Sequence, residues 1–228
     1  PEVRPGKSKT HEPIRQEAKM KPPPAEKGWL IRFPGIPIKI KDTWRIKFKY
    51  ATGRDIMTWL KIRHRTLYTA NNKDRNCPNT KCLACQASEE SIKHLAECSE
   101  IRFEFWWDIL NLMRLLKLNY SSTPVFLLLG LTEDNKIVCK EGAAILAIGW
   151  RCLYAEITRA RIEGTEIKLN QALRRTFAML ISRVKAYGEK WKLWYNKQRR
   201  QTHARIIDEK YRQLALITQD EEGRYSTA

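Results

Sequence analysis

The sequence predicts a mainly α-helical protein: a helical body carrying a small cysteine-rich knuckle, a short β-hairpin near the N-terminus, and extended basic arms. Three observations support this. Apolar residues recur at helical spacing over most of the chain beyond residue 54. Three cysteines and a histidine crowd into "CLACQASEESIKHLAEC", residues 82 to 98. Lys and Arg outnumber Asp and Glu by 43 to 25, for a formal net charge of +18. With 228 residues, 43% of them hydrophobic, the chain can build one good core or two small ones.

Residues 1–28 are dominated by Pro, Lys and Glu and hold almost no large apolar side chains. Such a segment buries too little surface to offset its ordering entropy, so it reads as an extended basic arm that needs an outside surface to order it. Residues 29–130 read as the knuckle domain with flanking helices. Within it, Ile36, Ile38 and Ile40, then Trp44, Ile46, Phe48 and Tyr50, alternate with Lys39, Lys41, Arg45, Lys47 and Lys49. Period two suits the strands of a hairpin, with entry into a helix as the alternative for the segment from Trp44. Residues 54 to 70 look helical, with Ile56, Leu60, Arg63 and Leu67 on one side. A polar loop follows, and a helix begins at Ser91. From Glu100 to Leu118 the pattern gives a wide apolar face of Phe103, Trp106, Trp107, Leu110, Met113, Leu116 and Leu118. "VFLLLGL" is a short buried run, strand or helical turn.

Residues 131–203 form a helical C-terminal region. One helix runs from about Glu141 to Glu163. A second, long helix starts at Leu169, with Ala172, Phe177, Leu180, Ile181 and Val184 for the core and Gly188 as a weak point. Its second half turns basic and aromatic: Lys190, Lys192, Lys197, Arg199, Arg200 and Arg205 surround Trp191 and Trp194. At i, i+3 those two tryptophans read as core; the alternative is that an exposed aromatic stacks on an unpaired base. Residues 204–228 are a polar tail. No apolar run approaches the length of a membrane span.

Cys82-x2-Cys85 has the spacing of a tight turn that converges two thiolates. His94-x3-Cys98 places two further ligands one turn apart on a helix. Four such ligands without a carboxylate suit a structural Zn2+ in tetrahedral geometry, making this a zinc knuckle. The competing reading is a set of free cysteines in a reduced protein. Cys77 would form a less apt C-x4-C pair and is read as a non-ligand. The uneven cysteine spacing argues against a secreted disulfide framework and for a reducing compartment.

"CLACQASEESIKHLAEC" resembles the zinc-binding domain that follows the polymerase in non-LTR retrotransposon reverse transcriptases. That pattern has a C-x2-C pair, an acidic residue followed by Thr or Ser, then His-Leu and a Cys, and an aromatic-rich helix. Glu90, Ser91, His94, Leu95, Cys98, Trp106 and Trp107 match it. The resemblance covers roughly residues 44 to 205, weakly so in the flanks. It implies a CCHC zinc site in a chain that otherwise lacks paired polymerase aspartates and an endonuclease carboxylate cluster. The chain is then either a retroelement fragment or a stand-alone descendant.

No catalytic site is expected. His64 lies among cations, which disfavour its protonated form and make a poor general base of it. His203 lies in a basic tail, and Asp208 and Glu209 point apart on a helix. Nor is there a Gly-rich phosphate loop or a nucleophile elbow. The charge excess predicts an anionic partner, first of all nucleic acid. The candidate phosphate contacts are Lys39, Lys41, Arg45, Lys47, Lys49, Arg63, Arg65, Lys190, Lys192, Lys197, Arg199, Arg200 and Arg205. Scattered patches and arms suit recognition of shape and backbone in a folded RNA, rRNA above all.

The expected function is a structural RNA-binding subunit of a large ribonucleoprotein: a ribosomal protein, best placed in a mitochondrial ribosome, derived from a retroelement tail. Its partners are RNA and neighbouring subunits, and it is not expected to act as a free monomer. The absent initiator Met allows a cleaved mitochondrial presequence or a fragment; the cytoplasm and nucleus are the other compartments. The alternatives are the C-terminal fragment of a reverse transcriptase and an adaptor in a non-RNA complex.

Overall fold

The computed structural model describes residues 24–34, 43, 46–71, 79–198, 217–219 and 225–227; for 24–26, 187–198 and the last two stretches it describes the backbone alone. The protein is mainly helical, and the chain divides into two compact units, Pro1–Ile38 and Lys39–Ala228. The division falls ten residues past the expected arm, and none falls near residue 130. In the first unit, helix α1 (Pro24–Arg32) ends with Phe33 stacked on Trp29 at 6.0 Å.

The second unit runs through α2 (Gly53–Arg63), α3 (Ile92–Glu97) and α4 (Ser99–Ile101), then a π-helical turn at Arg102–Trp106. It continues through α5 (Trp107–Leu115), α6 (Pro124–Leu129), α7 (Lys140–Glu163) and α8 (Leu169–Gln198). A terminal antiparallel pair, β1 (Ile217–Gln219) and β2 (Tyr225–Thr227), aligns Thr218 with Ser226. This pair lies in the segment expected to be a plain polar tail. The expected N-terminal hairpin is not seen where the structure describes it: residues 46–48 are irregular, and Ile36, Ile38, Ile40 and Trp44 lie outside the described residues. Phe48 still turns inward and packs edge-on against Trp59 at 5.6 Å. Its apolar side chain is therefore used for packing.

Helix α7 is the axis, in contact with α2, α5 and α8. All but a few of its residues from Gly142 to Ile157 are buried. Gly149 lets the helix at Trp106 and Ile109 approach closely: a Cβ there would lie 3.1 Å from Ile109 Cδ1 and 3.2 Å from Trp106 Cζ3. The hydrophobic run after Pro124 resolves as α6, capped by the Thr123 hydroxyl, which accepts from Phe126 N at 3.3 Å. Five consecutive residues, Val125 to Leu129, are buried. A helix this short leaves its last carbonyls without intrahelical donors. Gly130 N donates to the Phe126 carbonyl at 2.8 Å. Trp150 Nε1 donates to Leu127 O at 2.7 Å, and Trp59 Nε1 donates to Leu128 O at 2.9 Å. Two tryptophans from two other helices thus finish α6, which is how a chain with so apolar a segment keeps it folded in the interior.

The helix predicted over 54 to 70 stops at Arg63, where Arg65 takes the left-handed conformation (φ 60°). Its buried residues are Asp55, Trp59, Ile62 and Arg63. The inward face is thus partly rotated from the Ile56–Leu60–Arg63–Leu67 side that periodicity suggested: Arg63 and Leu67 are buried, whereas Ile56 and Leu60 are only half-buried. Asp55 explains the rotation. Its carboxylate accepts from Thr52 N at 2.7 Å and from Arg151 Nη1 at 2.6 Å, which pins the first turn of α2 to α7. A second buried carboxylate, Glu156, accepts from Arg159 Nη2 (2.5 Å), Arg175 Nη1 (3.2 Å) and Lys168 N (3.2 Å), joining α7 to α8. The expected core residues of α8 are buried at Ala172, Phe177, Leu180 and Val184, with Ile181 half-buried. Among the described residues no helix is long and apolar enough to cross a membrane.

Candidate metal centre

The knuckle forms where the chain can turn back within a few residues. Lys81 and Glu89 form an antiparallel bridge, Cys82 N donates to Ser88 O at 2.8 Å, and Gln86 N donates to Cys82 O at 2.9 Å. Gln86 closes the turn with φ 56°. These constraints hold Cys82 and Cys85 on one side of a tight loop. Ser91 then starts α3: its hydroxyl accepts from His94 N at 3.1 Å, satisfying one of the helix's orphan amides. Leu95 and Ala96 bury one side of α3, while His94 and Cys98 sit half-buried and buried beside the loop. The described part of α3 packs against α6.

The four ligand atoms lie within 4.8 Å of one another. Cys82 Sγ and Cys98 Sγ are 3.9 Å apart, and Cys85 Sγ and His94 Nε2 are 3.3 Å apart. A tetrahedral ion with metal–sulfur bonds of about 2.3 Å and a metal–nitrogen bond of about 2.0 Å spaces two sulfurs about 3.8 Å apart, and a sulfur and a nitrogen about 3.5 Å. Both measured separations fall close to those edges. The cluster can therefore hold a metal ion, and among the described residues no other grouping of this kind occurs.

Electrostatics favour a cation at this point. The contact between the Cys98 and Cys82 thiols, with the backbone amides of Cys85 and Ala84, holds the Cys82 thiol well below its usual range against the opposing pull of burial. The same contact, together with burial, pushes Cys98 up. Two thiolates this close repel one another. A bound cation removes that conflict and lets both ionise. The backbone amide of Ile101, directed at Cys98, favours its thiolate too.

Behind the ligands lies a brace that sequence spacing does not reveal. Arg161, near the end of α7, donates through Nη1 to Asn79 O (2.7 Å) and through Nη2 to Lys81 O (3.2 Å). Nη2 also pairs with Glu90 Oε2 at 2.7 Å. Glu90 is buried, accepts from Ala70 N at 3.0 Å through Oε1, and ties Thr80 to the loop through its own amide. One guanidinium thus fixes both strands of the knuckle to the longest buried helix of the body. Glu90 was legible as part of the motif. Arg161 was not, since nothing local marks a residue some seventy positions later as its partner.

The candidate phosphate contacts are less uniform than the sequence suggested. Lys47 and Arg65 are exposed. Lys49 instead pairs with Glu141 at 3.4 Å, with both side chains 13% exposed, and lies 4.8 Å from the Tyr50 ring centroid. Arg63 is buried with its guanidinium 5.3 Å from the Trp59 ring centroid, because the turn that carries Trp59 inward carries Arg63 with it. Burial lowers its pKa to about 10, so it remains charged at neutral pH. Neither Lys49 nor Arg63 presents an open cation. Burial first, and then the Arg63 charge, lower the His64 pKa, in the direction its cationic surroundings predicted. Lys190, Lys192 and Lys197 fall on the backbone of α8 with side chains outside the described set, as are those of Trp191 and Trp194. Lys39, Lys41, Arg45, Cys77, Arg199, Arg200, His203, Arg205, Asp208 and Glu209 lie outside the described residues. Compared with protein-family models, curated proteins and solved structures, the chain matches none.

Proposed function

We propose that this chain is a non-catalytic, RNA-binding structural subunit of a large ribonucleoprotein, folded around a structural Zn2+. The observation that supports it best is the donor set. Three thiols and an imidazole converge within 4.8 Å with no carboxylate among them, in a chain of net charge +18. Soft sulfur and borderline nitrogen at tetrahedral spacing favour zinc, and four protein ligands leave no open position for substrate. The ion then supplies folding energy to a loop with little apolar core. RNA is met by exposed cations such as Lys47 and Arg65 and by the basic half of α8, through phosphates and shape. A ribosome, and a mitochondrial one, is the particle this reading points to.

Sedimentation of the endogenous protein with and without RNase tests it. The protein is expected to travel with a large particle, to leave it when the RNA is cut, and to carry one zinc per chain. Co-sedimentation that RNase leaves intact would rule out the RNA-bound reading in favour of an adaptor in a protein complex. Cys82→Ser with Cys85→Ser is expected to abolish zinc binding and weaken incorporation.

A second reading, the nucleic-acid-binding tail of a reverse transcriptase, is supported by how the motif residues are used. Glu90 anchors the brace, Ser91 caps the ligand helix, and Leu95 packs beneath it. A longer reading frame with a polymerase upstream of residue 1 decides for it.

A further inference from the structure

The helix after Cys98 exposes two large aromatic side chains to solvent. Phe103 is 80% exposed and Trp107 66%, while Phe105 and Trp106 beside them are fully buried and meet edge-on at 4.9 Å. The core is therefore already supplied with aromatics from this stretch, and Phe103 and Trp107 contribute little to it. One turn apart, they present roughly 300 Å2 of ring surface, as much as the largest apolar patch of many monomers.

Beside the rings runs a row of carboxylates. Glu100, Glu104 and Asp108 follow one another at i, i+4 and i+8, all exposed, and none has an ion-pair partner among the described residues. Arg102, the cation in this stretch, is turned away to Ser122 O at 3.1 Å. Successive i, i+4 positions share a face, so acids and aromatics form two adjoining stripes. In a chain whose net charge is +18, this face carries the opposite sign.

We propose that this face docks a basic segment of a neighbouring protein. Its Arg or Lys side chains lie over Phe103 and Trp107 and pair with Glu100, Glu104 and Asp108. Cations are attracted to aromatic ring faces, and carboxylates at the rim steer a basic partner and fix its register. The same carboxylates repel phosphate, so the surface is set against RNA and faces protein. The proposal does not depend on what the rest of the chain binds.

A fluorescein-labelled helical peptide of Arg, Lys and Leu, titrated against the full-length chain and followed by anisotropy, tests it. The excess positive charge elsewhere on the chain leaves such a peptide few other places to bind. Saturable binding is expected. It should weaken about tenfold or more with Phe103→Ala and Trp107→Ala together, and to a similar extent with Glu104→Lys and Asp108→Lys together. Trp107→Phe should retain most of it. All these side chains are exposed, and circular dichroism is expected to be unchanged. The proposal is overturned if the peptide does not bind saturably, or binds the double-alanine variant equally well. It is also overturned if that variant instead loses affinity for a single-stranded RNA oligomer, or converts a wild-type dimer to monomer. Those two outcomes would assign the face to RNA or to a second copy of the chain.

Discussion

Replacing Arg161 with Ala tests whether the knuckle is held by the body of the protein or by its metal ligands alone. Three interactions go: the Glu90 pair at 2.7 Å and the bonds to Asn79 O at 2.7 Å and Lys81 O at 3.2 Å. Removing one partner of a buried ion pair costs about 3–5 kcal/mol, because the other charge is left in a poorly solvated place. The Glu90 side chain is 3% exposed and keeps only Ala70 N, whereas the Arg161 side chain is 19% exposed and the freed Asn79 carbonyl can meet water. The low end, about 3 kcal/mol, is therefore expected. Arg161→Lys restores the charge without the two-pronged donor and recovers about half. Glu90→Gln in the Arg161→Ala background removes the stranded charge and gives back about 1 kcal/mol or more, a coupling a double-mutant cycle reads directly. Urea denaturation measures the stability, and competition with a colorimetric chelator measures zinc affinity. The affinity is expected to fall about tenfold, because the carbonyls that Arg161 holds frame the first ligand pair. If Arg161→Ala costs less than about 0.5 kcal/mol and leaves zinc affinity unchanged, the brace contributes nothing and the reasoning fails.

Trp106 Nε1 is buried without an acceptor among the described residues, whereas Trp59 and Trp150 each donate to an α6 carbonyl. Thermal denaturation should therefore show Trp106→Phe costing at least about 1 kcal/mol less than Trp59→Phe or Trp150→Phe, which strand a buried carbonyl. Gly130 has φ +71°, and a Cβ there would lie 2.7 Å from Val138 Cγ1 and 2.9 Å from Trp59 Cη2; Gly164 has φ +63° and open space. Gly130→Ala is expected to cost about 2–3 kcal/mol and Gly164→Ala about 1, measured in the same assay. The Arg159 hydrogen bonds hold the Glu156 carboxyl below its ordinary value of 4.5, against the effect of burial and with help from Lys168 N. A lowered folded pKa gives stability that is present above the unfolded value and lost as pH falls through the folded one. The stability gap between wild type and Glu156→Gln should thus narrow from about pH 6 to pH 3, and a gap that widens on acidification contradicts the assignment.

What sequence could show depended on how local the cause was. The boundaries of α7 and the start of α8 followed from periodicity, and the convergence of Cys82, Cys85, His94 and Cys98 followed from spacing, because adjacent residues set both. The start of a helix at Ser91 was readable for the same reason. The inward face of α2 was readable only in part, since Arg151, nearly a hundred residues later, draws Asp55 inside. Phe103 and Trp107 looked like core residues because hydrophobicity alone cannot say which of four aromatics at 103, 105, 106 and 107 the interior has room for. The alternating run near Phe48 resembled a strand because one buried face gives the same pattern whether or not a partner strand exists. Arg63 and Lys49 were counted as open cations because a charge shows nothing of its burial until its helix or partner is placed.

Between Asn79 and Cys98 the buried residues are Cys82, Glu90, Leu95, Ala96 and Cys98. Only two of these are purely apolar, so burial there stabilises by a few kcal/mol at most, while fixing the backbone of each residue costs about 1–2 kcal/mol. The segment cannot hold itself by burial alone; an ion bound at the proposed zinc site, with the Arg161 brace, would make up the difference. The main core has no such need. Trp59, Trp106, Trp150, Phe126 and Met113 are fully buried on helices that carry none of the ligands. Removing zinc with a chelator should therefore unfold the corner and leave the helical body standing. Hydrogen exchange reads both at once. The amides of Cys82, Gln86, Glu90 and Cys98 are expected to lose protection, while those of α7 and the indole N–H of Trp150 keep theirs. If chelation melts α7 together with the knuckle, the metal supports the whole core, and the division into a self-sufficient body and a fastened corner is wrong.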